Sequence, residues 1–313
     1  YRASQLLVYE EENILERIND WTTKLLKREL ESNNIPDKKL KEQVEFELKN
    51  FHGILDRVAH RRNIELIQRN NYLPLSDRSS DLHNEGLQKF SVQDFNLCQA
   101  QHQKELELLE RWYYVDSKLD SMDYGRNVLG VGHFLASALM ADPELDHARA
   151  VVAKHTALIT RLDDFFDHHG SREDSLKIIH LIREWKQPSS LTYGNEEVEI
   201  LYTAVYNTTT ELAEIAYPIQ GRDITNVLTH LWDELLTSCM REMDSIADES
   251  TLTMDEYMSF AWISAGCRIC ILTSIHFLGA KLPEKVIFSS ECDHLCRHVC
   301  YIYRLLNDFR TFE

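Results

Sequence analysis

Apolar residues recur at three- and four-residue steps along almost the whole chain, a periodicity that suits amphipathic helices and leaves little room for strands. In QHQKELELLERW, residues 101–112, Leu106, Leu109 and Trp112 stand three apart with Leu108 beside them, while Glu and Lys fill the other face. Similar patterns predict helices over 146–167, 173–186, 196–216, 223–245, 255–278 and 293–312. Asp223 and Asp255 read as N-caps, and Asp142-Pro143 as a break between helices. No alternating run supports a strand, and 10 Gly and 6 Pro are too few for the turns of an all-β fold. The expected fold is therefore all-α, a single large helical bundle, with the polar stretch 70–86 as a surface loop.

Charge narrows the partners. The 34 basic residues face 51 acidic ones, a net charge of −17. A nucleic-acid partner is not expected, because phosphate binding needs a basic face. A small anionic substrate stays compatible if metal ions screen it locally. No run of 18 apolar residues occurs, so no membrane-spanning helix is expected. The seven Cys lack paired zinc spacing and read as free thiols packed in the core. The chain opens at Tyr1 without Met and reads as a piece of something longer.

Two oxygen-rich clusters carry the chemistry. The first is LDDFFD, residues 162–167. On a helix Asp163 and Asp167 are four apart and project from one face, while Asp164 is rotated by about 100° and is placed to support rather than ligate. Three carboxylates so close repel one another, and a hard divalent cation relieves that repulsion. Mg²⁺ suits the site because it accepts a few carboxylates and keeps positions for water or phosphate. A solvated acidic face is the other reading, against which Phe165 and Phe166 count. The second cluster is NDFRT near the end of the chain, where Asn307 and Thr311 are again four apart. A third oxygen on that face would fall at i+8, past Glu313. Alone, this run reads as well as a buried polar turn.

Together the clusters resemble the two metal motifs of plant class I terpene synthases, the aspartate-rich motif and the start of (N/D)Dxx(S/T)xxxE. The stretches QDFNLCQAQHQKELELLERW (93–112), HRRNIE (60–65), QGRDIT (220–225) and PELDHAR (143–149) are similar to segments of ent-kaurene synthase-like diterpene synthases. The resemblance implies an isoprenoid-synthase-type helical bundle. Residues 1–30 would lead in from an upstream β domain (with a γ domain possible) and pack on the α domain, and 31–313 would be the α domain, cut inside the second metal motif. It implies Mg²⁺, three ions in number, with Mn²⁺ as a substitute. Asp163 and Asp167 would bind metal directly with Asp164 supporting, and Asn307 and Thr311 would hold another ion. Arg304, one turn before Asn307, and Arg126, 37 residues before Asp163, match diphosphate-binding arginines. A plastid stroma location is implied by resemblance, a cytoplasmic one otherwise.

The implied reaction is ionisation of a prenyl diphosphate, copalyl or geranylgeranyl diphosphate, followed by cyclisation of the carbocation to a diterpene. Such a cation needs a dry pocket and gains from aromatic faces. Phe134, Trp262 and Tyr301 are candidates for the wall, and Ser264, Ala265, Gly266 and Cys267 form the segment expected to steer the product. Close helix packing is the plainer account of that segment. Kaurene synthases tend to carry Gly-Pro-Ile where this chain has Arg268-Ile269-Cys270, and apolar residues where it has Arg161-Leu162. These departures weigh against ent-kaurene as product without touching the ionisation machinery. No DxDD run is present, so protonation-initiated cyclisation is not expected. A sesquiterpene or monoterpene synthase on the same scaffold, or a non-catalytic protein binding prenyl diphosphates, are the alternatives.

Overall fold

The computed structural model describes residues 13–49, 85–247 and 252–311. The stretch HRRNIE and most of the 70–86 loop lie outside these residues, as does the start of the lead-in segment. Every regular element among the described residues is helical. Twelve α-helices follow in order: α1 Asn13–Glu31, α2 Lys38–Lys49, α3 Glu85–Arg111, α4 Leu129–Leu139, α5 Asp146–Asp164, α6 Arg172–Glu184, α7 Glu196–Gln220, α8 Thr225–Ala247, α9 Met254–Ser264, α10 Cys267–Ser274, α11 Glu284–Ile287 and α12 Ser290–Thr311. Two π-helical turns, Trp112–Asp116 and Phe165–His169, extend α3 and α5.

Contacts divide the chain into two compact units, Tyr1–Leu97 and Cys98–Glu313. In the first, α1 packs against α2. The second carries the core. There α5 lies among α4, α7 and α10, and α8 among α6, α7, α9 and α10. Trp232 on α8 is fully buried, donates its indole N–H to Thr209 Oγ1 at 3.1 Å, and stacks on His155 of α5. Trp112 makes the matching bond to Thr208 at 3.0 Å. Burying an indole removes much apolar area from water, and these threonines satisfy the N–H that would otherwise be stranded.

A buried ionic knot fastens α3 to α4 and α5. Arg149, with no exposed side chain, grips both Glu105 oxygens at 2.9 and 2.6 Å through Nε and Nη2, while Nη1 donates to the carbonyls of Met140 and Asp142 and Nη2 also to that of Pro143. Glu105 also meets His133 Nε2 at 3.0 Å. Burial alone would raise the Glu105 pKa, but Arg149 and His133 outweigh it and hold the group at about 2.

Helix boundaries refine the sequence reading. Asp142-Pro143 does separate α4 from α5. The cap of α9 is Thr253, not Asp255, through a capping box with Glu256. The helix expected over 255–278 breaks after Ser264, where Gly266 takes a left-handed conformation with φ 75°. All seven thiols are free. Among the described residues no single helix is long and apolar enough to cross a membrane.

Candidate active site

Helix α5 changes pitch midway through its acidic motif, after Asp164. Phe165 and Phe166 are both buried, 0% and 2% exposed, and a widened π turn lets these neighbours reach the core together. Asp163 and Asp167 remain on the opposite side, lining a cavity of about 600 Å³. Its wall also contains Gly125, Arg126, Asp164, Glu242, Arg304, Asn307 and Asp308. Helices α5, α8 and α12 thus bring the LDDFFD and NDFRT runs to one opening. His168 and His169 line the rim while exposed, and His169 stacks on Tyr124 with ring centres 3.6 Å apart.

The three motif aspartates stand in different surroundings. Asp164 is buried at 7% exposure and accepts the Arg126 backbone N–H at 2.7 Å and its Nε–H at 2.9 Å. Asp163 accepts only the outer Arg126 Nη2 at 3.1 Å. Burial and then the nearby Asp167 charge push the Asp163 pKa up to about 6. Burial followed by the Glu242 charge raises that of Asp167. Carboxylates destabilised by one another's charge, with the Asn307 amide across the cavity, form an all-oxygen donor set that fits a hard divalent cation.

Arg126 rests on a residue that the sequence flagged only as a departure. Arg161, one turn before Asp164, is buried and donates Nε and Nη2 to the Tyr113 hydroxyl at 2.8 and 2.6 Å and Nη1 to the Tyr124 carbonyl. The next residue, Gly125, has φ 86°, and a Cβ there would lie 2.5 Å from Arg161 Nη1 and 3.1 Å from Asp164 Oδ2. Only glycine fits so close to that guanidinium, and the turn delivers Arg126 onto Asp164.

On α12, Arg304 donates Nη2 to Glu242 Oε1 at 2.6 Å, and its Nε lies 2.7 Å from the Tyr257 hydroxyl oxygen and 2.9 Å from Asp308 Oδ1. The Tyr257 hydroxyl donates to Asp308 Oδ2 at 2.7 Å. Burial opposes charge on Arg304, yet Glu242, Tyr257 and Asp308 together hold its pKa above the ordinary value. Glu242 escaped sequence reasoning because CMREMD carries no spacing that marks one acid from the next. Asn307 lines the cavity, whereas Thr311 ends α12 with its side chain outside the described residues.

The residues expected to shape the product are not in this cavity's wall. Phe134 is 56% exposed on α4. Trp262 is buried beside Tyr301, with the guanidiniums of Arg268 and Arg297 at 5.5 and 5.2 Å from its ring. Arg268 also pairs with Glu234 of α8 and Asp293 of α12, so it serves packing among three helices. Cys267 packs with Cys300 in a small core cluster, and Ala265 and Gly266 make the break between α9 and α10. Ser264 lies behind the wall and bonds one of its residues, donating its hydroxyl to Glu242 Oε2 at 2.6 Å.

Similarities to known proteins agree with this geometry. The chain is 54% identical to a chloroplastic class I diterpene synthase of Vitex agnus-castus, 52% identical to a chloroplastic miltiradiene synthase of Salvia miltiorrhiza, and 44% identical to a chloroplastic sclareol synthase of Salvia sclarea. In each case all of this chain is covered but only 53–55% of the relative, so the chain spans about half their length. The fold matches that of isoprene synthase from grey poplar leaves, solved with three Mg²⁺ ions and dimethylallyl-S-thiolodiphosphate, at a TM-score of 0.80 and 24% identity, covering 99% of this chain and 57% of that one. Limonene synthase with 2-fluorolinalyl diphosphate matches at 0.79 and 22% identity, over 98% of this chain and 55% of that one. Residues 115–313 match the metal binding domain of the terpene synthase family, and the chain belongs to that family.

Proposed function

We propose that the protein is a Mg²⁺-dependent class I diterpene synthase that ionises copalyl or geranylgeranyl diphosphate and cyclises the resulting carbocation, releasing diphosphate. The observation that carries this reading is the single cavity shared by Asp163, Asp167 and Asn307, with Arg126 and Arg304 in its wall. The similarity to diterpene synthases at 52–54% identity supports a C20 substrate over shorter ones.

Asp163 and Asp167 on one side and Asn307 on the other would hold the metal, with Thr311 of the same NDFRT run as a further proposed ligand, three ions if the site is filled as in the poplar enzyme. The bound metal supplies charge neutralisation that makes diphosphate a competent leaving group. Arg126 and, once it turns from Glu242, Arg304 would direct guanidinium donors at the negative charge that grows as the allylic C–O bond breaks, which is where preorganised donors lower the barrier most. Asp164 fixes Arg126 in place, and Arg161 fixes the turn that carries it. After ionisation the hydrocarbon cation must be kept from water. The 264–267 break, together with Phe134, Trp262 and Tyr301, is proposed to influence the shape of the space available to it. The names of the relatives support a plastid location, and their greater length supports further domains beside this one.

Gas chromatography of products from geranylgeranyl diphosphate and from copalyl diphosphate stereoisomers, with C10 and C15 diphosphates in parallel, tests the reading. A C20 hydrocarbon or alcohol formed only with Mg²⁺ is expected. Turnover confined to C10 or C15 substrates would move the assignment to the monoterpene or sesquiterpene class. No diphosphate release from any of them would leave a binding protein.

A further inference from the structure

Glu242 is held at both carboxylate oxygens from two different helices. Oε1 accepts from Arg304 Nη2 on α12 and Oε2 from the Ser264 hydroxyl at the end of α9, each at 2.6 Å. Both partners are largely out of solvent, with the Arg304 side chain 15% exposed and Ser264 4% exposed. A carboxylate engaged at both ends is a poor ligand for a cation. A guanidinium shared among Glu242, Asp308 and Tyr257 is likewise poorly placed to receive an anion. Yet Glu242 and Arg304 line the same cavity as Asp163 and Asp167.

Building on the proposed function, we infer that Glu242 is a positioning residue that latches Arg304 away from diphosphate, and that Glu242 exchanges Arg304 for a divalent cation as the site is charged. The exchange follows from charge balance. If Arg304 turned to an anion alone, Glu242 would be left in a half-buried acidic cluster without its cationic partner. If Glu242 took a cation alone, Arg304 would lose its main counter-charge. When both ligands arrive, each supplies the partner that the other removes, so their binding is mutually dependent. Ser264 keeps its hold on Glu242 Oε2 throughout, which ties the latch to the helix break after α9.

Calorimetric titration of the full-length protein with inorganic diphosphate in the presence of EDTA reads the latch without turnover. Wild type should bind weakly. Glu242→Gln should bind about tenfold tighter, because Arg304 loses the carboxylate that holds its Nη2. Glu242→Asp keeps the charge but is one methylene too short to span Ser264 and Arg304, so it should gain similarly and serves if the Gln variant does not fold. Asp167→Asn removes the same unit of charge without a bond to Arg304, and should gain no more than about threefold. A folded Glu242 variant that gains nothing, or an Asp167→Asn gain as large, overturns the latch. The underlying reading fails separately if, with Mg²⁺ present, wild type does not bind diphosphate or Arg304→Ala binds it equally well.

Discussion

Asp163 and Asp164 are adjacent in sequence, yet the Arg126 guanidinium divides their work. It closes over the buried Asp164 with Nε at 2.9 Å, supported by its own backbone N–H at 2.7 Å, and reaches Asp163 only through an outer nitrogen at 3.1 Å. Asp164 thereby becomes a mount for the arginine. Asp163, with 42% of its side chain exposed, keeps its carboxylate toward the cavity.

That division predicts unlike phenotypes. Asp163→Ala should lower kcat/KM by about a hundred- to a thousandfold with the helical circular dichroism unchanged. Asp164→Ala should cost stability as well, because Arg126 loses its buried counter-charge. Steady-state kinetics beside thermal melts separate the two. Full activity in Asp163→Ala would overturn the site.

Metal-free stability should depend on pH through Asp163. Its folded pKa, about 6, stands above the ordinary 3.8, so the folded protein binds more protons between those values. Stability should therefore fall as pH rises from about 4 through about 6, and saturating Mg²⁺ should abolish the fall. Asp167→Asn removes part of the repulsion and should stabilise the metal-free protein by about 1 kcal/mol. Denaturant melts with and without Mg²⁺ across this range provide the check.

His155 should act in the opposite direction. It is buried against Trp232 with Nδ1 2.9 Å from the Val151 carbonyl, and burial lowers its pKa from 6.5 to about 4. The unfolded chain then binds the extra proton between these values, so this contribution is intact above 6.5 and lost as pH falls toward 4. Its full size is roughly 3 kcal/mol. Subtracting the stability profile of His155→Gln from that of wild type cancels the Asp163 slope. A pH-independent difference would refute the assignment.

Gly266→Ala tests the helix break. At φ 75° a methyl group would meet Ile159 Cγ2 at 2.7 Å, so both backbone and packing resist it. A loss of about 1–3 kcal/mol is expected. Because Ile159 lies on α5 ahead of the acidic motif, the product mixture should change as well, read by gas chromatography.

The ionic knot under α3 should be intolerant of halves. Glu105→Gln leaves the fully buried Arg149 without a countercharge and should cost about 3–5 kcal/mol. A double change to apolar residues of similar size should recover much of it, as a double-mutant cycle would reveal.

Local periodicity was enough to determine the helical class, the break at Asp142-Pro143, and the runs LDDFFD and NDFRT, because a helix places residues four apart on one face whatever surrounds it. Tertiary packing alone decided the rest. Glu242 joins the cavity because α8 passes beside the π turn of α5, and Arg161 supports Arg126 because a buried guanidinium finds Tyr113 and Tyr124 far along the chain. Trp262 goes to the core for the same kind of reason, between Arg268 and Arg297. Bonds between residues tens of positions apart leave no periodic trace in a sequence. They exist only once the helices have packed.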